Sequence, residues 1–361
     1  MTLDGLHRAD ADANANANKC ATVQPMTELI EQLRRCGLVL PGEAVTVVPL
    51  DGGVSSDITL VTAGPRQFCV KRALEKLKVA ADWRAPVERN RSEVDWLRTV
   101  AAILPGSVPR VLADHTDGGW FAMEYLAPAT HPVWKTQLRD GTINPDFAAT
   151  VGRAIGRIHA ATAGDAALAQ RFATGHIFYP IRLEAYLVAA AQKHPALADA
   201  LQALVRATQT NQRALVHGDV SPKNILCRQG GGGGDAPVLL DAECAWYGDP
   251  AFDVAFVLKH LLLKCLWRPQ HAAQYLACFD ALCDDYFDQV SWEPAYNIDG
   301  RSARLLIGLL LARVDGKSPV EYITSEEQRN LVREFCLPRL AQPPQHLGEV
   351  RDAWALLMGV A

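Results

Sequence analysis

The sequence predicts an α+β fold of two lobes, a strand-rich sheet carrying one helix and then a mainly helical body. Two observations predict it. From Val45 to Leu126, short apolar runs are cut by Gly, Pro and Asp turns, as in strands. Beyond the Pro128 and Pro132 interruptions, apolar residues recur at helical spacing over long segments. A chain of 361 residues is long enough for two lobes around one cleft.

The elements follow in order. Residues 1–25 alternate Asp, Ala and Asn and read as a disordered low-complexity tail with no apolar segment for a signal peptide. Met26 opens "MTELIEQLRRCGL", an amphipathic helix and an alternative translation start. "VTVVPL", "ITLVTA" and "QFCVKRA" read as strands, with "DGGVSSD" between the first two and a turn at Gly64-Pro65. From Pro86 the period is helical: Val94, Leu97 and Ala101 share a face, and Pro105 ends it. "VPRVLAD" and "WFAMEYL" are two more strands about the turn at Asp117-Gly118-Gly119. The first lobe is therefore 26–126 and the second 127–361.

In the second lobe, Asn144-Pro145 suits an N-cap and first helical position. Gly152-x-x-x-Gly156 reads as close helix packing, and His159 as a packed histidine. Residues 182–208 give two helices broken at Pro195. "ALVHGDVSPKNILC" looks like a hairpin, and Gly230 to Gly234 like a flexible hairpin tip. That run lacks the Lys-Ser/Thr and helix start of a phosphate loop. "FVLKHLLLKCLW" and "LLIGLLLARV" are too short and too charged to span a membrane and read as buried helices. Asp315-Gly316 is a helix stop, and Ser318-Pro319-x-Glu321 reads as a capping box.

Composition excludes several classes. Hydrophobic residues are 49% and charged ones 21%, the profile of a globular protein. A net charge of -4 gives no global call for nucleic acid or an anionic membrane. Nine irregularly spaced Cys without a CxxC argue against disulfides or zinc and for a cytoplasmic location.

The chemistry concentrates in "LVHGDVSPKNILCRQGGGGGDAPVLLDAECAWYGDP". Phosphoryl transfer from ATP needs a proton acceptor for the hydroxyl, oxygen ligands for Mg²⁺ and cations on the phosphates. Asp219 and Asn224 lie five residues apart on one loop, and Asp241 ends an apolar strand beside them. Each alone suits an ordinary turn. The ordered combination is what points to a metal-dependent transferase.

"HGDVSPKNIL" followed by "LLDAECAWYGDPAFDVA" resembles the aminoglycoside phosphotransferase and choline kinase-like group, relatives of protein kinases. The resemblance spans roughly residues 40 to 330 and implies a protein kinase-like fold with ATP and Mg²⁺. It implies Asp219 as catalytic base and Asn224 with Asp241 as metal ligands. Gly52, Gly53, Ser55 and Ser56 would belong to the phosphate-covering loop. Lys71 would contact the phosphates, paired with Glu93 or, alternatively, Glu88. Glu124 and Leu126 would offer backbone groups to adenine. His217 would be structural, and Asp253 would brace the loop through backbone hydrogen bonds.

The pattern also departs from protein kinases. Ser221 stands where they carry a Lys, and Asp241-Ala242-Glu243 replaces D-F-G, which disfavours a protein substrate. The D-x-E, with Tyr247-Gly248, is similar to methylthioribose kinases. It suggests Glu243 for a second metal or a substrate hydroxyl, and Trp246 and Tyr247 as pocket wall or core. The expected substrate is a small hydroxylated metabolite, first a methylthioribose-like sugar. An aminoglycoside is second, met by Asp280, Asp284, Asp285, Asp288 and Glu293. A non-catalytic nucleotide-binding protein of the same fold is the competing class.

Overall fold

A five-stranded antiparallel sheet forms the first lobe, in the order β1-β2-β3-β5-β4. The computed structural model describes residues 27–50, 53, 55–78, 85–230 and 235–360. The expected tail 1–25, Gly52 and the glycine tip 231–234 lie outside the described residues.

The strands are β1 (Val45–Leu50), β2 (Ser56–Ala63), β3 (Arg66–Ala73), β4 (Val111–His115) and β5 (Trp120–Glu124). Helix α1 (27–35) covers one face, where Leu33 packs with Val61, Phe68, Val70, Trp120 and Ala122. The indole Nε1 of Trp120 donates to Gln32 Oε1 at 2.6 Å. Helix α2 (Arg89–Ile103) lies on the other side, with Val94, Trp96, Leu97 and Val100 buried. Alternation along β3 sends Phe68 and Val70 to α1, and Cys69 and Lys71 to the opposite, cleft face.

The second lobe begins with α3 (Trp134–Arg139), α4 (Pro145–Thr162), α5 (Ala166–Arg171) and α6 (Gly175–Phe178). Asn144 caps α4 by accepting the Asp146 N–H at 2.9 Å. A π-helical segment, Tyr179–Val188, runs into α7 (Ala189–Lys193), and α8 (Ala198–Thr210) follows the break at Pro195. Then come β6 (Ala214–Val216), β7 (Ile225–Arg228), β8 (Ala236–Leu239) and β9 (Trp246–Gly248). Helices α9 (Ala251–Trp267), α10 (Ala272–Phe287), α11 (Ala295–Asp315), α12 (Glu326–Ala341) and α13 (Leu347–Met358) complete the lobe. Among the described residues no helix is long and apolar enough to cross a membrane.

Glycine sets the α4–α10 distance. A Cβ at Gly152 would stand 2.1 Å from Leu282 O, and one at Gly156 would stand 2.9 Å from Tyr286 O. Helix α9 is buried along nearly its whole length, which explains its almost continuous apolar sequence.

Two local expectations fail. "ALVHGDVSPKNILC" is not one hairpin: β6 pairs with β9, and β7 with β8. The loop between β6 and β7 is thus clamped from two sheets, more rigidly than a hairpin tip. The capping box at Ser318 starts no helix, since α12 begins after Ser325, whose hydroxyl accepts the Gln328 N–H at 3.1 Å.

Candidate active site

A cavity of about 1020 Å³ opens between the sheet, the β5 exit, the β6–β7 loop and the helices. Gly53, Ser55, Lys71, Glu93, Glu124, Leu126, Asp219, Asn224, Asp241 and Glu243 all line it. Ser56 is turned away, its hydroxyl 3.4 Å from Glu243 Oε2.

Lys71, 1% exposed, places Nζ 2.6 Å from Glu93 Oε2 and 2.5 Å from Asp241 Oδ1. Glu88 is not its partner and lies on the surface, 2.6 Å from His176 Nε2. Burial opposes the lysine's charge, yet Asp241, Glu93 and Glu243 hold Lys71 above its ordinary range. Burial raises Glu93 to about 7 despite that contact. Burial also works against Asp241, but Lys71 and Lys223 outweigh it and keep this carboxyl well below the usual range. Asp241 has φ 66, left-handed backbone that Asp tolerates better than most residues and that turns the chain after β8.

The β6–β7 loop is braced from α9. Asp253 accepts the His217 N–H at 2.8 Å and the Gly218 N–H at 2.9 Å. The Asp219 N–H donates to His217 Nδ1 at 3.1 Å, so the ring proton sits on Nε2 and meets Leu240 O at 3.0 Å. Burial lowers the His217 pKa, which keeps this tautomer neutral. Gly218 has φ 80, and a Cβ there would meet Cys244 O at 2.7 Å. His159 Nε2 stands 3.3 Å from Asp253 as a packing partner.

Asn224 Nδ2 donates to Asp219 O at 3.1 Å and to Asp219 Oδ2 at 2.9 Å. That commits the amide nitrogen and leaves Oδ1 as an oxygen donor. With the ionised Asp241 it makes a hard two-oxygen set that fits Mg²⁺, which keeps waters and phosphate oxygens as its other ligands. Among the described residues no group of three or more His, Cys, Asp or Glu forms a self-sufficient metal cage.

Three basic residues escaped the sequence reading. Arg182, from the π-helical segment, reaches Asp219 Oδ2 at 2.9 Å and Gly218 O at 2.6 Å. Lys223 Nζ lies 3.5 Å from Asp219 and 4.0 Å from Asp241, so it spans the two carboxylates. Its place four residues after Asp219 on the same loop was the available signal. Burial alone would raise Asp219, but Arg182 and Lys223 hold it below the usual carboxylate range. Arg89, fully buried, places Nε 3.1 Å from Glu243 and donates to the carbonyls of Ser55, Leu74, Ala85 and Pro86. Trp96, two turns on, packs edge-on against His217 at 4.8 Å between ring centroids.

Several expectations need correction. Glu243 is held by Arg89 and Ser56, so it ties the lobes together with the charge already matched. Tyr247 does not line the cavity: its hydroxyl donates to Arg213 O at 2.8 Å and reaches Thr162 O at 3.2 Å. Trp246 is buried against Phe178 at 4.4 Å. The acids proposed for a polyamine lie outside the cavity: Asp280 pairs with Arg351, Asp285 with Arg153 and Glu293 with Arg301. Conversely, residues 317–319 and 321–322, read as purely structural, do line it.

A sequence profile described as the phosphotransferase enzyme family matches residues 46–288. No curated protein matches the chain. Among solved structures, a choline kinase from Cryptosporidium parvum is similar at 12% identity and TM-score 0.52, covering 92% of this chain and 97% of that one. A choline kinase from Streptococcus pneumoniae matches at 14% identity and TM-score 0.47, over 88% and 99% of the two chains. A spectinomycin phosphotransferase solved with ADP and spectinomycin matches at 11% identity and TM-score 0.46, over 91% and 98%. The likeness to these structures is one of fold.

Proposed function

We propose that this chain, which belongs to the phosphotransferase enzyme family, transfers the γ-phosphoryl group of ATP to a hydroxyl of a small metabolite. The observation that carries the reading is the convergence of Asp219, Asn224, Asp241, Lys71 and Lys223 on one cavity wall. Mg²⁺ held by Asn224 Oδ1 and Asp241 would neutralise charge on the phosphate oxygens. Lys71, fixed by Glu93, positions the phosphates further out. Adenine enters beneath Gly53 and Ser55, against backbone groups of Glu124 and Leu126.

Asp219 accepts a hydrogen bond from the acceptor hydroxyl and aims its oxygen at the γ-phosphorus. Its depressed pKa makes it a weak base. A loose transition state asks for little more, because the hydroxyl becomes acidic only as its bond to phosphorus forms. The new P–O bond forms, the β–γ bridge bond breaks, ADP leaves, and the proton passes to Asp219. Lys223, between Asp219 and Asp241, meets the charge on the moving phosphoryl group.

The methylthioribose-like reading has lost its support, since Tyr247 is in the core and Glu243 is committed to Arg89. The test is ADP release from Mg-ATP across sugars, amino alcohols, hydroxy acids and aminoglycosides. Asp219→Asn should retain ATP binding and lose about 10²–10⁴-fold in turnover. Undiminished turnover in that variant rejects the role of Asp219. Nucleotide binding with no turnover on any acceptor supports the non-catalytic reading instead.

A further inference from the structure

Deepening that reading, and resting on it for the position of the reacting hydroxyl, we infer that the acceptor is an anion. It is a hydroxyl-bearing carboxylate or phosphate ester whose charged group sits against Lys264 and Arg313.

The half of the cavity beyond Asp219 is walled by the π-helical segment, α3, α9, the end of α11 and residues 317–322. It presents Lys135, Arg182, Lys223, Lys264, Arg313 and Lys317. The acids facing this half are Asp219 and Glu321. Most of these cations are already matched. Arg182 and Lys223 face Asp219, Lys135 pairs with Glu321, and Lys317 Nζ lies 2.8 Å from Glu184.

Lys264 and Arg313 are left over. Lys264 is 1% exposed and lines the cavity, and it has no ion pair or hydrogen bond among the described residues. Its Nζ lies 4.9 Å from the Tyr322 ring and 5.1 Å from the Trp267 ring. Arg313, 8% exposed, hydrogen-bonds among the described residues only to neutral groups, Tyr186 Oη at 3.2 Å, Ser318 Oγ at 3.1 Å and Ser318 O, with Glu321, already paired to Lys135, as an acid it feels at longer range. The Arg313 Nε has no hydrogen-bond partner among the described residues. Behind them Lys259, fully buried, also has an unpartnered Nζ, over the Phe256 ring.

A buried cation without a counter-charge is costly, and aromatic faces return only part of that cost. Arg313 keeps its charge throughout, and an anion entering the cavity beside it would favour the protonated form of Lys264 and pair with both. A cationic acceptor would meet like charge there, and the acids that might attract it are outside the cavity or already paired. The guanidinium fork suits a carboxylate or a phosphate equally.

The test measures binding to the full chain saturated with Mg-ADP, using acceptors matched in hydroxyls. The probes are glycerol, glycerate and glycerol 3-phosphate; sorbitol and gluconate; and choline and kanamycin as cations. At least one anion should bind about tenfold or more tighter than its neutral twin, the worth of one well-placed charge contact. Glycerate against glycerol 3-phosphate separates carboxylate from phosphate. Lys264→Gln or Arg313→Gln should remove about tenfold of the anion's affinity and leave the neutral twin unchanged. Equal or tighter binding of neutral or cationic probes, or of no probe at all, overturns the inference. So does anion binding that neither substitution weakens. Anions that bind without accepting phosphate would uphold this inference and count against the transferase reading, whereas transfer to neutral acceptors alone would do the reverse.

Discussion

The two halves of the cleft treat charge differently. On the nucleotide side the buried charges among the described residues are paired within the protein: Lys71 with Glu93 and Asp241, Arg89 with Glu243. On the acceptor side Lys264 and Arg313 are buried with no ion pair among the described residues. The first half is held together by the protein's own ion pairs, so its residues contribute to the fold as well as to the site. The second stores unfavourable burial, relieved by an entering anion or, at Lys264, by loss of its proton as pH rises above 7. Stability and recognition are thus located in different walls of the same cavity.

Substitutions should separate the two walls. Arg89→Met has the largest expected effect on stability. It strands Glu243 and four backbone carbonyls, and loss of one partner from a buried ion pair costs about 3–5 kcal/mol. The urea midpoint should fall markedly, and adding Glu243→Leu should recover much of it. A midpoint unchanged in Arg89→Met would mean that this wall is not the stabilising one.

Lys264→Met should act in the opposite direction. Burial, with Lys135 adding and Glu321 opposing, brings Lys264 down to about 7 from 10.5. Its surroundings on α9, α3 and the 317–322 segment also present His260, Lys317 and Tyr322. Between pH 7 and 10.5 the unfolded chain holds the lysine proton and the folded chain does not, so stability rises with pH there. Below pH 7 the penalty is present in full. The Met variant should therefore melt higher than the parent at pH 7, with the gap closing as pH approaches 10. A variant that melts lower at pH 7 would mean that this lysine is already satisfied by its aromatic neighbours.

The smallest effect is expected outside both walls. Tyr247→Phe removes hydroxyl contacts to two backbone carbonyls and should cost about 1 kcal/mol of stability. Turnover should be unchanged, and a loss of kcat would return Tyr247 to the site.

The same division governs how much was legible in the sequence. The nucleotide side is carried by short segments in fixed order, so Lys71, Glu93, Asp219, Asn224 and Asp241 were nameable from spacing and the resemblance. The two-lobed fold was legible too, because period two and helical period separate cleanly along the chain. Arg89 was missed because three arginines crowd residues 84–91 and no motif selects one. Its phase with Glu93, four residues on, marks it as inward-facing. The acceptor side draws single residues from α3, the π-helical segment, α9 and α11, which only the tertiary fold brings together. Lys264 was hidden within an apolar helix, where its charge argued merely against a membrane span. Asp280, Asp284 and Asp285 misled for the converse reason, since a run of acids announces a helix face without saying which way it looks.

One consequence concerns control. Helix α2 is fastened on both sides of Glu93, at Arg89 to Glu243 and at Trp96 to His217. Swinging this helix so as to withdraw that carboxylate from Lys71 would first have to break both contacts. Any control acting through this helix would therefore have to reach Glu243 or His217 first.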